Sequence, residues 1–352
     1  MPDWTKSMEQ SYEYYIVDPY SWRDTTPIRY VISSSVERDM EAGTLGSATI
    51  SVADPVGEYY IRIYLVTIQN GIKERHPLGT FLIQTPSVEF DGKVKAISAD
   101  AYTPLLELKE NPPPIGYSVR KGENIMETAY MITREHVRAP VVKPSNNTLL
   151  YDDFVANTDD TWLTFLSDFI ANAKYTFSLD EMGRILFAPK QEIEALRPVW
   201  TYTDDNSSIL LPAMTMTEDL YNIPNVVEVV YSDSTAFFYA KAVNDDSNSP
   251  TSTVSRGREI TRRFTNPSGI GNPTEDQIQV YAEKLLKELS TIEYKITYTH
   301  GYCPVRLGDC VRIKHSRAGI EESKGRVIKQ QIDCVSGCTV TETAIFTKKL
   351  WR

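Results

Sequence analysis

The chain has 352 residues, a length that points to two or three domains rather than one core. Its 41% hydrophobic and 24% charged residues suit an ordinary globular protein, and a net charge of −10 argues against a nucleic-acid-binding surface, which needs a basic face to displace counterions from phosphate. The opening stretch MPDWTKSMEQSYEYY lacks the apolar centre of a signal peptide, and no run approaches the ~20 apolar residues of a spanning helix, so synthesis in the cytoplasm without membrane insertion is expected.

The predicted elements fall into three segments. Residues 1–110 form the first, a β domain. YEYYIVD, IRYVISSSVERD, LGSATISVAD and EYYIRIYLVTIQNG are short apolar runs punctuated by Gly, Pro, Asn and Asp. Asn70-Gly71 and Asp91-Gly92 each mark a hairpin turn. Pro112, Pro113 and Pro114 then remove three backbone donors in succession and mark a boundary. Residues 111–200 form the second segment, an α+β domain. KGENIMETAYMITREHV is a predicted helix. In TDDTWLTFLSDFIANAKY, Trp162, Phe165, Leu166, Phe169 and Ile170 make one apolar helical stripe, with Asp159 and Asp160 at its start. A hairpin turning at Gly183 follows. Residues 201–352 return to β structure, with NVVEVVYSD and AFFYAKAVND as paired strands. NDDSNSPTSTVSRGRE is expected to be a mobile polar loop. One helix, PTEDQIQVYAEKLLKEL, opens with a capping box of Thr274 and Gln277. Four further strands end the chain. The fold class is thus mainly β with an α+β insert.

No catalytic set stands out. His76, His136, His300 and His315 lie in no metal-binding or hydrolytic spacing, and GxSxG, P-loop and GxGxxG patterns are absent. His136 ends a helical stripe and reads as a solvated or capping side chain. The adjacent acid pairs lack EF-hand spacing and read as solvated. Asn146 and Asn206 begin sequons, which mean little without a signal peptide. Residues 116–133, GYSVRKGENIMETAYMIT, resemble the start of a LysM glycan-binding module, making Lys121, Gly122, Glu123 and Asn124 candidate glycan-binding residues.

Larger blocks carry a second resemblance. GTLGSATISVADP with PLGTFLIQTPSVEFDGKVKAISADAYTPLLEL resembles the first tube-type β domain of a bacteriophage tail hub. DDTWLTFLSDFIANAKYTFSLDEMGRILF is similar to the hub's inserted domain. YAEKLLKELSTIEYKITYTHGYCPVRLGDCVRI, with its P...GD.V turn, is similar to the second tube-type domain. The chain thus resembles tail hub proteins of the late-control-protein-D and contractile baseplate-hub type. The resemblance implies two tail-tube-like β-barrel or sandwich domains and a homotrimer whose six β domains match a hexameric tail tube. It implies a tail tube or distal tail protein above, a spike or tail fibre protein below, and a lumen passing DNA and the tape measure protein. The location implied is the virion, at the tail tip or baseplate, with no enzymatic activity and no sequence-specific nucleic-acid binding. Two rival readings are a cell-wall hydrolase using Glu127 or Glu135, and a glycan- or receptor-binding module.

All four cysteines lie in the last 50 residues: Cys303, Cys310, Cys334 and Cys338, spaced C-x6-C then C-x3-C. Two turns each offering two thiols suit one tetrahedral zinc, although the first half is long for it. A four-iron cluster tolerates varied spacing and occurs in some tail-tip hub proteins that this arrangement resembles. Two disulfides, or four separate buried thiols, answer to the same spacing.

Overall fold

Tyr, Val, Ile and Thr at alternate positions build the first seven strands of the computed structural model, which describes residues 2–53, 57–90, 92, 95–205, 208–232, 236–267 and 274–351. These are β1 (Glu9–Val17), β2 (Asp24–Pro27), β3 (Val31–Asp39), β4 (Gly46–Val52), β5 (Tyr60–Gln69), β6 (Ile72–Phe90) and β7 (Lys95–Tyr102). Asn70 and Gly71 both adopt positive φ, 53° and 78°, and close the β5–β6 hairpin as a two-residue turn with Gln69 opposite Ile72. Asp91, the other predicted turn position, lies outside the described residues. β5 is buried on both faces along most of its length, which explains its nearly unbroken apolar run.

An insert follows: α1 (Leu106–Lys109), β8 (Ser118–Val119), α2 (Ile125–His136), β9 (Phe154–Val155), α3 (Trp162–Ala171), β10 (Tyr175–Leu179) and β11 (Ile185–Pro189). The predicted stripe of α3 is buried and packs with Ile125, Met126 and Ala129 of α2. Its first turn is capped by Thr161, reciprocally with Thr164, rather than by the aspartates before it. In the triple-proline stretch Pro113 is buried while Pro112 and Pro114 are exposed, and the Asn111 carbonyl accepts from the Trp162 amide.

The chain continues through β12 (Pro198–Thr203), β13 (Leu210–Glu218), β14 (Val226–Ser232), β15 (Phe237–Val243), α4 (Thr253–Arg256), β16 (Thr261–Thr265), α5 (Glu275–Leu289), β17 (Thr291–Gly301), β18 (Cys310–His315), β19 (Ile320–Asp333) and β20 (Thr339–Lys349). Thirteen strands share one sheet in the order β13-β17-β20-β19-β3-β4-β7-β6-β5-β1-β2, with β18 beside β19 and β12 parallel to β18. The pairing of β19 with β3, from Lys329 opposite Asp39 to Asp333 opposite Ser35, joins the first and last β regions. The fold is therefore mainly β with an α+β insert.

Two compact units result: Met1–Met214 with Thr297–Ala344, and Thr215–Ile296 with Ile345–Arg352. In the second unit, β14 lies between antiparallel β15 and parallel β16. Ile278, Ala282 and Leu286 of α5 pack on Val227, Val229, Ala240 and Ala242, and the predicted capping box of Thr274 and Gln277 forms. The polar stretch after β15 is not the expected loose loop. Asn244, Ser249, Thr251 and Ser252 are buried and bonded to one another and to backbone, and Ser252 caps α4. Short polar side chains here satisfy buried backbone that a strand or long helix would otherwise satisfy.

A close approach of backbone requires glycine at position 46. Gly46 has φ of 142°, and a Cβ there would lie 2.3 Å from the Glu37 carbonyl oxygen of the paired strand. Gly46→Ala is expected to cost about 2 kcal/mol or more, because the obstacle is backbone. Chemical unfolding checks this; a neutral substitution would mean that β3 and β4 can part there without loss.

Candidate functional site

Two buried polar assemblies stand out in the first unit. One fastens the insert to the β domain. Arg62 on β5 is 1% exposed. Its guanidinium donates to Asp24 Oδ1 (2.6 Å), to Thr80 Oγ1 (2.8 Å) and to the Met182 carbonyl (3.0 Å) in the β10–β11 turn. Trp22 Nε1 donates to the same Met182 carbonyl at 2.7 Å. Gly183, at φ 75°, lets that turn approach: a Cβ would lie 2.7 Å from Thr80 Cβ. Arg306 pairs with Glu181 at 2.6 Å.

The other assembly surrounds Glu342. Alternation along β17 places Tyr298 and His300 on one inward face, and β12, β19 and β20 add Tyr202, Gln330 and Glu342. His300 and Glu342 are fully buried, with His300 Nε2 3.6 Å from Glu342 Oε2. Glu342 accepts from the Tyr298 hydroxyl, from Gln330 Nε2 (2.6 Å) and from the Tyr202 hydroxyl (3.5 Å). Arg38 in turn donates to Gln330 Oε1 at 3.0 Å. His300 Nδ1 donates to the Gly301 carbonyl at 2.7 Å, and Nε2 lies 3.1 Å from the Tyr202 hydroxyl. Burial alone would depress His300, but hydrogen bonding to Cys303 and Glu342, together with the Glu342 charge, raises it to about 10. We assign an imidazolium–carboxylate pair. Burial raises both Tyr202 and Tyr298 well above the usual phenol value, with Glu342 adding to it, so both hydroxyls stay protonated and donate. This is the chemistry of a locked polar core, satisfied on every side.

The cysteines do not meet around one centre. Cys303 lies 3.3 Å from the Tyr202 hydroxyl and 3.9 Å from His300 Nδ1. Cys310 faces its own strand, at 3.9 Å from the Val311 carbonyl, with its thiol pushed up by burial. Cys334 and Cys338 sit in the β19–β20 turn beside Ser34 and Tyr12. All four are buried, and no disulfide joins any of them. Among the described residues no three His, Cys, Asp or Glu side chains are grouped to hold a metal ion. This donor set does not fit a four-thiolate zinc or iron–sulfur site.

The LysM-like residues are occupied in building a turn. The Lys121 amide donates to Asp153 Oδ1 (2.7 Å), and the Gly122 amide donates to the Leu150 carbonyl (2.9 Å). The Glu123 carbonyl accepts from the Leu150 amide (2.9 Å). Asn124 caps α2 by accepting from the Glu127 amide, and its Nδ2 donates to the Asn146 carbonyl. Glu127 pairs with Lys143 at 2.7 Å. Glu135 lines a cleft of about 410 Å³ with Tyr117, His136 and Trp162, and no second carboxylate faces it there. His136 stacks on Trp162 at 4.6 Å rather than standing in solvent. His76 lies beside Thr67 and His315 beside Asp204, so the four histidines occupy four separate settings.

Reasoning from sequence missed both assemblies, although a signal for the second was present. In TVTETAIF the inward positions are Val340, Glu342, Ala344 and Phe346, a lone carboxylate in an apolar alternation. Such a residue has to be paired.

No family model and no curated protein sequence matches the chain. Solved structures do. The tail protein from Neisseria meningitidis MC58 matches with a TM-score of 0.63 at 12% identity, over 96% of each chain. The 43 kDa tail protein of prophage MuSo2 from Shewanella oneidensis gives 0.62 at 9% identity, over 95% of this chain and 98% of that one. A chain of the Francisella PdpA–VgrG complex gives 0.57 at 9% identity, over 97% of this chain and 58% of that one. Over nearly its whole length, the chain therefore has the fold of phage tail proteins.

Proposed function

We propose that this protein is a structural component of a phage tail, a hub that acts as a trimer and carries out no catalysis. The observation that carries the proposal is the end-to-end likeness of fold to two tail proteins, each covered over 96% or more of its own length. In this reading three copies place six β domains beneath the hexameric tail tube or distal tail protein and hold a threefold spike or fibre below. The lumen passes DNA and the tape measure protein. The net charge of −10 suits a wall past which a polyanion slides without sticking. Exposed aromatic and aliphatic side chains, among them Tyr20, Tyr30, Tyr151 and Ile115, supply the kind of surface that partner proteins cover. The buried polar assemblies keep each subunit rigid enough to transmit a symmetric ring.

Native mass spectrometry of the purified chain is expected to give a trimer. A monomer that also fails to join tail tube protein in a reconstituted mixture would overturn the proposal. In the same preparation, no clearing of peptidoglycan is expected in a zymogram.

A further inference from the structure

We propose that Cys334 and Cys338 are a disulfide-forming pair bridging the base of the β19–β20 turn, while Cys303 and Cys310 remain thiols. The pairing is independent of the assembly role proposed above.

The backbone sets up the pair. β19 ends at Asp333, β20 begins at Thr339, and the two strands are sheet neighbours, so five residues make the turn. The Val335 amide donates to the Asp333 carbonyl (2.9 Å) and the Cys338 amide to the Val335 carbonyl (3.0 Å), closing it tightly. Gly337 and Cys338 both take positive φ, 93° and 38°. A turn closed by such a bond holds its end Cα atoms within about 7 Å, and a disulfide spans Cα separations of about 4.4–6.8 Å.

Both side chains are buried, and Cys334 acts on Cys338 through charge. Cys334 and Cys338 are 9% and 0% exposed, while Val335 between them is 52% exposed. Tyr12 reaches over the turn, donating to the Val335 carbonyl at 2.8 Å, and its hydroxyl bonds to Cys338, while Cys334 acts on it through charge. Tyr14 feels both sulfurs as well, and its hydroxyl bonds to Ser34, which bonds to Cys334. Cys303 is engaged by Tyr202 and His300 instead, and Cys310 lies on β18 among Lys324, Arg312 and Arg326.

The oxidant required is a small disulfide such as oxidised glutathione. One cysteine, as thiolate, attacks an oxidant sulfur and expels one glutathione thiolate. The second cysteine, after losing its proton, attacks the mixed disulfide and expels the other. One S–S bond forms and one breaks, two thiols are oxidised, and two glutathione thiols are produced. Burial pushes the thiols up to about 11 and about 12, so exchange is slow near neutrality. A reducing cytosol keeps the pair open, and an oxidising medium closes it.

The test is to incubate the reduced full-length chain with oxidised glutathione at about pH 8.5, then unfold and alkylate it. Peptide mapping is expected to show Cys303 and Cys310 alkylated, with the peptide holding Cys334 and Cys338 unalkylated and about 2 Da lighter. Alkylation of all four cysteines, a persistent glutathione adduct on either turn cysteine, or a link to Cys303 would each overturn the proposal. In Cys334→Ser, Cys338 is expected to be alkylated or to carry glutathione, with Cys303 and Cys310 unchanged. Because the decisive map uses the unmutated chain, a variant that fails to fold leaves the test intact.

Discussion

Arg62→Met is expected to lower stability by about 2–3 kcal/mol, the cost of taking a charged donor away from partly buried acceptors. Arg62 is 1% exposed and touches Asp24, Thr80 and the Met182 carbonyl together. Methionine fills much of the volume, so the loss isolates the charge and its donors rather than a cavity. Asp24 keeps the Tyr64 hydroxyl at 2.7 Å but loses its closest cation. Met182 keeps Trp22, so the β10–β11 turn should loosen without detaching. Hydrogen exchange is expected to speed up at Gly183 and Arg184, while amides of β17 and β20 are unchanged. Arg62→Lys should recover part of the loss, since it restores charge without the planar fork that serves three acceptors. If Arg62→Met costs under about 1 kcal/mol, the guanidinium is not what fastens the insert.

Much of the fold was legible where one local rule decided the outcome. Asn70-Gly71 needed only its left-handed preference to announce a two-residue hairpin. The stripe of Trp162, Phe165, Leu166, Phe169 and Ile170 needed only helical periodicity. Thr274 and Gln277 needed only the reach of two side chains. The unread features depend on partners distant in sequence. The pairing of β19 with β3 joins residues some 290 positions apart, as between Lys329 and Asp39, and neither strand carries a mark of its partner. Asn244, Ser249 and Thr251 look like solvated loop residues, because composition does not say that their hydrogen bonds close on one another.

The same distinction divides the candidate sites. Four cysteines within 36 residues invite one shared centre, but strand direction decides where each sulfur points. Cys310 and Cys303 lie on opposite sides of a turn, facing different neighbours. The C-x3-C half alone is held together by local geometry. Lys121 to Asn124 carry the composition of a binding loop; their backbone builds the turn and the Asn124 side chain caps α2. Motif spacing gives His300 no role; its partners Glu342 and Tyr202 lie 42 and 98 residues away and become visible only when three strands align.

Glu342→Gln is expected to remove a pH dependence as well as stability. In the folded chain His300 holds its proton up to about 10, against 6.5 for a free imidazole. A group raised on folding contributes its full stabilisation below the unfolded value and loses it as pH climbs toward the folded one. The unmutated protein should therefore lose about 2 kcal/mol between about pH 6.5 and 8.5, a slope near the one-proton limit of about 1.4 kcal/mol per pH unit. Other shifted groups leave this window clear. Burial lowers His76, so its effect lies below 6.5. Cys334, Cys338 and the buried tyrosines are raised from ordinary values of 9.0 and 10.0, so theirs lies above it. With glutamine at 342 the imidazolium loses its counter-charge and keeps only the Cys303 hydrogen bond against burial, so His300 gives up its proton at lower pH than in the unmutated chain. The slope should then flatten, and stability at about pH 6.5 should fall by about 3 kcal/mol, because a buried pair has lost one member. Urea unfolding at three pH values measures both effects. A variant that is less stable but keeps the slope would show that the Glu342 carboxylate is not what holds the proton on His300.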